Sequence, residues 1–230
     1  TLNAGSSTKT ENPFPTLENR PIETLPILPY VVGHPTKLII GTFPPHRSRW
    51  NFPFFFPNLQ NRLWNTLGRV AYGAEDFSTR NNCFDQAAIE ERQAILRKLN
   101  AAMVNIIHSC SRKGQSALDN DLHVVTLHPV VTEILEPHPT ILEIFLTSGS
   151  GTNSCLSLLK RHLKENRIPF EKTKAPQKSR EAQIMDPKIG SFTLNGRRIV
   201  VYSLFSPSPT SQRSGITEAV LLRQYQVLLA

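Results

Sequence analysis

Apolar residues along this chain follow two alternating patterns. Short apolar runs typical of buried strands cover residues 38–40, 103–107, 141–147 and 198–204. Apolar positions at helical spacing cover residues 61–70, 87–99, 153–165 and 217–229. This alternation predicts an α/β protein, a three-layer α/β/α sandwich around a four-stranded parallel sheet. In such a sheet, ligands bind at the carboxyl ends of the strands.

Two segments lack both patterns. Residues 12–35 are rich in Pro and have no periodicity, so we expect an irregular arm that lies over the domain without joining its sheet. Residues 172–189 are charged and contain Pro, which predicts a long mobile loop. Because 230 residues suit one domain, we expect a Pro-rich arm over residues 1–35 and a single domain over residues 36–230.

Charge favours a polyanionic partner. Lys and Arg number 26 against 18 Asp and Glu, which gives a net charge of +8 and a pI near 9.7. Nucleic acid is the partner that this balance suggests first. No apolar run approaches the roughly 18 residues that span a bilayer, so we expect no membrane partner. Residues 1–10 lack the apolar core of a signal peptide, which predicts a cytoplasmic protein.

The cysteines and histidines give no metal or disulfide pattern. Cys83, Cys110 and Cys155 are odd in number and widely spaced, which indicates reduced structural thiols. A set of His108, Cys110, His123 and His128 matches no zinc spacing, so we expect no metal.

Three loops that follow predicted strands carry polar and aromatic motifs. The first begins G-T-F-P-P-H at residue 41 and ends F-F-F-P-N-L-Q-N-R-L-W at residue 64. The second, C-S-R-K-G-Q-S-A-L-D, covers residues 110–119, and the third, L-F-S-P-S-P-T-S, covers residues 204–211. Because each follows a strand, we expect all three at the ligand-binding edge of the sheet.

In this order, the three motifs resemble the uracil-DNA glycosylase superfamily. The first loop is similar to the hypoxanthine-DNA glycosylase branch, and more distantly to the mismatch-specific uracil glycosylases. The second resembles that branch's C-x-R-x-G-S-L-D loop with two extra residues, and the third resembles the H-P-S-P-x-S or L-P-S-T-S-P loop. The resemblance covers the chain from residue 38 onward. It implies a monomeric, monofunctional glycosylase that flips uracil or hypoxanthine out of damaged DNA and hydrolyses its glycosidic bond without a cofactor.

The resemblance also implies roles for residues of the first loop. Much of the superfamily has a polar residue where this chain has Phe43, and the hypoxanthine branch relies instead on the Asn that opens the following helix. That residue is Asn61, which is either catalytic or an ordinary helix-start residue that caps backbone amides. Phe56 matches the family's stacking aromatic with Phe55 beside it, although both are alternatively core residues. His46 either supplies an imidazole to the reaction or is simply solvated.

Thr42, Phe43 and Asn105 complete the expected base pocket, where Asn105 either contacts the base edge or satisfies a buried backbone group. This chain also departs from the family. Asn58 and Leu59 replace its usual His-Pro, and Ser206 stands where several relatives carry His.

Residues of the second and third loops are expected to contact DNA. Gln212 or Arg213 would enter the gap left by the flipped base, while hydroxyls and cations contact phosphates. The expected DNA contacts are Arg112, Lys113, Ser206, Ser208, Pro209, Ser211, Gln212 and Arg213. A plain surface turn and solvated charges are the alternative.

Two other functions remain open on the sequence. One is a DNA-binding member of the same fold that has lost catalysis, because Phe43, Asn58 and Ser206 replace polar or imidazole groups. The other is a hydrolase of free nucleosides or nucleotides on a similar sheet. A phosphate-binding loop of the G-x-x-x-x-G-K-[ST] type does not occur in the sequence.

Overall fold

The computed structural model describes residues 20–79, 86–173 and 179–229. Cys83, the first part of the expected Pro-rich arm and residues 174–178 of the expected loop lie outside these ranges. None of the helices within them is long and apolar enough to cross a lipid bilayer.

Strands and helices alternate along most of the chain. The strands are β1 (Ile22–Thr24), β2 (Lys37–Gly41), β3 (Ala101–Asn105), β4 (Ile107–Arg112), β5 (Leu122–Leu127), β6 (Glu143–Leu146), β7 (Glu171–Lys172), β8 (Lys188–Leu194) and β9 (Arg197–Ser203). The α-helices are α1 (Leu63–Tyr72), α2 (Gln86–Lys98), α3 (Cys155–Glu165), α4 (Arg180–Met185) and α5 (Glu218–Tyr225). Val131–Leu135 form a π-helix, and short 3₁₀ helices include Arg47–Arg49 and Pro209–Ser214.

The main sheet has six strands in the order β3-β2-β6-β9-β8-β7. Its first four strands are parallel to one another and overlap the four apolar runs of the sequence, although β3 shares only residues 103–105 with the run over residues 103–107. Strands β8 and β7 extend it in the antiparallel direction. The four parallel strands are confirmed, but the prediction of a sheet limited to four strands is wrong.

The two added strands correct the prediction of a loop over residues 172–189. Strand β7, helix α4 and the start of β8 occupy most of its described part. A tight hairpin joins β8 to β9 through Asn195 and Gly196, whose φ angles of 50° and 76° suit a type I′ turn. The Asn-Gly pair is a strong hairpin signal in a sequence, and it marks the strand that periodicity missed.

A second, three-stranded antiparallel sheet has the order β1-β4-β5. Its central strand, β4, begins two residues after β3 ends and corrects the prediction of a loop after residue 107. Strand β1 belongs to the Pro-rich segment and pairs Ile22 with Ser111 and Thr24 with Ser109. The expected irregular arm therefore contains a strand, and Tyr30 forms a further bridge to Met103 of the main sheet. The domain boundary at residue 35 stays a prediction.

The direction of the connections gives the sheet a helical layer on each face. From β2 the chain passes through α1 and α2 to β3, toward one end of the main sheet. From β6 it passes through α3 toward β9, in the direction of the other end of the sheet. Right-handed crossovers in opposite directions place their helices on opposite faces of a sheet. Helix α1 packs against both α2 and α5, whereas α3 buries Leu158, Leu159 and Leu163 along one side.

Helix α1 has a site of close packing at Gly68. A Cβ atom added there would overlap the ring of Phe77, which folds back over the helix beside Tyr72 with ring centroids 5.2 Å apart. The absence of a side chain at residue 68 therefore lets the segment after α1 pack onto the helix.

We expect the substitution Gly68→Ala to lower the free energy of unfolding by about 1–3 kcal/mol, because the new methyl group overpacks against Phe77. Ala in place of Gly inside an exposed helix ordinarily raises stability by about 1 kcal/mol. Urea unfolding of Gly68→Ala, with and without Phe77→Ala, measures the effect. In the Phe77→Ala background, Gly68→Ala should cost no stability. A Gly68→Ala protein more stable than the wild type would contradict the close packing of Phe77 on Gly68.

Candidate active site

A cavity of about 440 Å³ lies where the four parallel strands end. Its wall comes from the segment after β2, the end of β3, the segment before β5, the residues after β6 and the loop after β9. The lining residues are Thr42, Phe43, Pro44, Pro45, Arg49, Phe56, Asn58, Gln60, Asn61, Asn105, Ala117, Leu118, Asp119, Thr147, Ser148, Ser206, Pro207, Ser208, Pro209, Thr210 and Arg213. The three sequence motifs therefore meet around one cavity.

Phe56 and Asn105 form one part of this wall. Phe56 has a left-handed backbone with φ of 49°, and its ring lies against Gly41 at the end of β2. A Cβ atom on Gly41 would stand 2.8 Å from Cζ of Phe56 and 3.5 Å from Nδ2 of Asn105. Only a residue without a side chain at position 41 leaves room for the ring in this place.

Asn105 has an unsatisfied carbonyl. The residue is 4% exposed, and its Oδ1 atom is buried without a hydrogen-bond donor among the described residues. A buried acceptor without a partner costs about 1–3 kcal/mol. Because Oδ1 has no surface open to the cavity, a ligand with an N–H or O–H group removes this cost only after the side chain turns.

Asp119 enters the cavity from the segment before β5 and was not among the predicted site residues. Oγ1 of Thr42 donates a 2.8 Å hydrogen bond to its Oδ1. Burial raises the pKa of Asp119 to about 6, while the Thr42 hydrogen bond and the charge of Arg112 act in the opposite direction. The amide of Asn153 donates to the backbone oxygens of Asp119 and Leu122 at 2.9 and 2.8 Å, which fixes this segment.

Asn61 stands just before α1. Its Oδ1 accepts a 3.0 Å hydrogen bond from the backbone N–H of Leu63, so the capping contact considered from the sequence is present. Its Nδ2 donates to no group in the described ranges, and the residue lines the cavity. Oδ1 of Asn61 thus caps the helix, while the N–H groups of its Nδ2 are available to a ligand in the cavity.

Arg62, the next residue, joins the first loop to the third. Its buried guanidinium donates to the backbone oxygens of Pro207, Ser208 and Ile216 and to Oγ of Ser211, at 3.4, 3.1, 2.5 and 2.6 Å. Burial lowers the pKa of Arg62. Because backbone carbonyls accept these bonds, Arg62 fixes the course of the third loop beside the cavity. The first sequence motif contains Arg62, but the motif does not indicate the groups that its guanidinium contacts.

Most predicted site residues meet at the cavity. Those that line it are Thr42, Phe43, Phe56, Asn61, Asn105, Ser206, Ser208, Pro209 and Arg213. Their assigned roles stay predictions. His46, Lys113 and Gln212 do not line it; His46 begins the 3₁₀ helix Arg47–Arg49, with Nδ1 2.8 Å from Oγ of Ser48. Lys113 and Gln212 are exposed on the loops around the cavity.

Phe55 and Arg112 correct the sequence prediction. Phe55 is fully buried against Phe54, with ring centroids 5.0 Å apart, and therefore belongs to the core, not to a base pocket. Arg112 is 5% exposed and bonds Glu23 of β1 at 2.9 Å and the backbone oxygen of Pro44 at 2.8 Å. Its guanidinium is occupied within the protein and is not presented to a phosphate.

Ser211 is a further correction. Its Oγ accepts from Arg62 at 2.6 Å and donates to the backbone oxygen of Ser206 at 2.7 Å. The hydroxyl is therefore used inside the third loop, and the expected phosphate contact is wrong for this residue.

Cations that remain available surround the cavity. Arg49 and Arg213 are exposed members of its wall. Arg47 is exposed beside them, with its guanidinium 4.3 Å from the ring centroid of Trp50. These side chains give the cavity side of the protein a positive charge.

Thiols and imidazoles form no metal centre in the described ranges, where no three His, Cys, Asp or Glu residues are grouped to hold an ion. Cys110 and Cys155 are buried free thiols, and burial raises their pKa to about 12 and about 11. Such thiols carry a proton at neutral pH and have a packing role.

No family model matches the chain, and no curated protein matches it. A solution NMR structure from Methanosarcina acetivorans, provisionally named a uracil DNA glycosylase, is similar with a TM-score of 0.47 and 14% identity. The match covers 91% of this chain and 99% of that one.

The raised pKa of Asp119 predicts a pH-dependent gain of stability for Asp119→Asn. Because the pKa is raised from 3.8 to about 6, the folded protein holds this proton more tightly than the unfolded chain. The stabilising effect of the proton is complete below about pH 4 and is lost as pH rises through about 6.

Asp119→Asn should therefore raise the free energy of unfolding at pH 8 by up to about 3 kcal/mol, at about 1.4 kcal/mol for each pKa unit. Urea unfolding of both proteins at pH 4, 6 and 8 measures the difference, which should be smallest at pH 4. A difference that is equal at all three values would contradict the burial of this carboxylate.

Proposed function

We propose that this protein is a DNA glycosylase that flips a deaminated base, uracil or hypoxanthine, into the cavity and hydrolyses its glycosidic bond. The proposal rests chiefly on one observation: Phe56 and Asn105 line the same cavity, and exposed arginines stand at its wall. An aromatic face, an acceptor for a base edge and cations for phosphates are what a flipped nucleotide requires.

The size and depth of the cavity suit one nucleotide unit. Its volume of about 440 Å³ falls within the roughly 300–1,000 Å³ of small-molecule sites. A base that is paired and stacked in a duplex cannot reach a buried carbonyl such as that of Asn105. The base must therefore leave the helix, and stacking on an aromatic side chain contributes about 1–3 kcal/mol per base toward that step.

Specificity for uracil or hypoxanthine is consistent with Asn105. Both bases have a ring N–H next to a carbonyl, whereas cytosine and adenine have an unprotonated ring nitrogen beside their amino group. Once its side chain turns toward the cavity, Oδ1 of Asn105 accepts a hydrogen bond from such an N–H group and loses its desolvation penalty. An unprotonated ring nitrogen at this place would leave the carbonyl unpaired. Thymine and guanine share the ring N–H, so their exclusion depends on other parts of the cavity.

The cavity surface supports contact with the DNA backbone. Arg49, after β2, and Arg213, in the third loop's 3₁₀ helix, are exposed members of the cavity wall. The third loop also carries Ser206 and Ser208 and is held in place by Arg62. Phosphate contacts of this kind orient a duplex without reading its sequence.

Asn61 is the proposed group for the chemical step. Water attacks the sugar as the bond to the base breaks, and the transition state has positive charge on the sugar and negative charge on the base. The free Nδ2 of Asn61 orients this water by a hydrogen bond, while its Oδ1 remains on the amide of Leu63. Neither Nδ2 nor Oδ1 of Asn61 requires a cofactor for these contacts.

Asn61→Ser separates the two uses of the side chain. A Ser hydroxyl still caps the amide of Leu63, but the amide donor is lost, so we expect excision to fall about 100-fold or more while stability changes little. Alkaline cleavage of labelled duplexes that contain uracil, hypoxanthine or xanthine measures the rate. Equal rates for Asn61→Ser and the wild type would contradict the role of Asn61.

The same duplexes distinguish the other functions. Salt-sensitive binding of every duplex without cleavage of any would indicate a DNA-binding protein that lacks catalysis. Hydrolysis of free nucleosides or nucleotides in place of duplexes would indicate a small-molecule hydrolase.

Arg49→Gln and Arg213→Gln should each weaken binding of a lesion duplex. If each cation contacts one phosphate, each change lowers the salt slope of log K by about 1. Fluorescence anisotropy between 50 and 200 mM salt provides the measurement. Lys98→Gln is the matched control, because Lys98 is exposed at the end of α2, next to the start of β3 and away from the cavity. Equal slopes in all three variants would place the DNA elsewhere.

A further inference from the structure

We propose that Asp119 is a catalytic residue of this cavity, the general base that takes a proton from the attacking water. This assignment rests on the proposed glycosylase function and adds to it a group from the second loop. Sequence motifs drew attention to the first loop, where Phe43 occupies the place of a polar residue.

The composition of the cavity wall singles out Asp119. Among the lining residues, all of which belong to the described part of the chain, it is the one carboxylic acid, and none is a His, Cys or Lys. The remaining polar side chains are amides, hydroxyls and arginines, which do not accept a proton near neutral pH. Proton transfer to the protein inside this cavity therefore has one suitable acceptor.

Asp119 is held in a way that leaves one oxygen for a ligand. Thr42 donates to Oδ1 at 2.8 Å, and Asn153 fixes the backbone of the residue. The second oxygen, Oδ2, accepts no hydrogen bond from any described residue. A carboxylate with one fixed and one available oxygen is suited to orient a water molecule and take its proton.

Basicity supports the same role. The pKa of about 6 leaves Asp119 ionised at pH 7 to 8 and makes it a stronger base than an exposed Asp. A buried carboxylate reduces stability, and groups with this kind of perturbation concentrate at functional sites. Thr42 and Asn153 provide the hydrogen bonds that keep the ionised group in place.

Few charged or titratable groups surround Asp119. The guanidinium of Arg112 on β4 lowers its pKa, and the thiol of Cys155 at the start of α3 is within electrostatic range. Arg112 is itself paired with Glu23. Asp121 lies two residues away but bonds Ser116 outside the cavity wall, and Arg49 and Arg213 line the same wall. None of these groups can replace the carboxylate as proton acceptor.

The proposed step replaces the base by water at C1′ of the sugar. The water oxygen forms a bond to C1′ of the sugar, and the bond from C1′ to the base nitrogen breaks with its electron pair leaving on the base. One proton of the water moves to Oδ2 of Asp119. That proton then passes to the departed base, so the products are a sugar hydroxyl, a neutral free base and an ionised Asp119.

The test is the pH dependence of excision under single-turnover conditions, with enzyme in excess over a labelled lesion duplex. For the wild type we expect the rate to fall about tenfold per pH unit below about pH 6, the pKa of the carboxylate. Asp119→Asn should lose this acidic limb and should be on the order of 100-fold slower at pH 8. Thr42→Val should move the limb to higher pH, because it removes a hydrogen bond that lowers the pKa of Asp119.

Asp121→Asn is the matched control, since it makes the same chemical change two residues away and outside the cavity wall. It should keep the acidic limb and the rate of the wild type. An Asp119→Asn variant with the limb and the rate of the wild type would overturn the assignment while the glycosylase function stands. A wild-type protein that releases no base at any pH would overturn the proposed function and this assignment together.

Discussion

The common direction of four strands is the constraint on which the site depends. Because β2, β3, β6 and β9 run parallel, every segment that follows them starts from one edge of the sheet. Loops that are far apart in the sequence therefore meet around one cavity, because the direction of the strands brings them to the same edge of the sheet. The guanidinium of Arg62 then fixes the last of these loops by bonding its backbone, so the cavity has a defined wall before a ligand arrives.

Stability and function conflict inside this cavity. Asn105 has an unpaired carbonyl and Asp119 a partly buried carboxylate, and each lowers the stability of the empty protein. The surrounding core, with residues such as Phe55 and Leu63 fully buried, offsets this cost. A fold that keeps two unfavourable polar groups in one cavity gains from them only when a ligand or a reaction uses them.

Local pattern was sufficient for the four parallel strands and the helices between them, because buried strands and amphipathic helices have clear periods. It was not sufficient for β4 or β1, which pair across more than 80 residues. The same limit explains Arg112: a charged residue is expected at the surface unless its partner, Glu23, is known. Three consecutive Phe residues were equally ambiguous, because the sequence does not show that Phe56 lines the cavity while Phe55 is buried in the core.

The central claim is that the cavity accepts a flipped base and releases it. Chromatographic detection of the free base tests this most directly, with the purified protein in excess over duplexes that contain uracil, hypoxanthine or no lesion. The account predicts free uracil or hypoxanthine in an amount equal to the abasic sites formed, and no base from the undamaged duplex. Tight binding of the lesion duplexes without release of any base would contradict it.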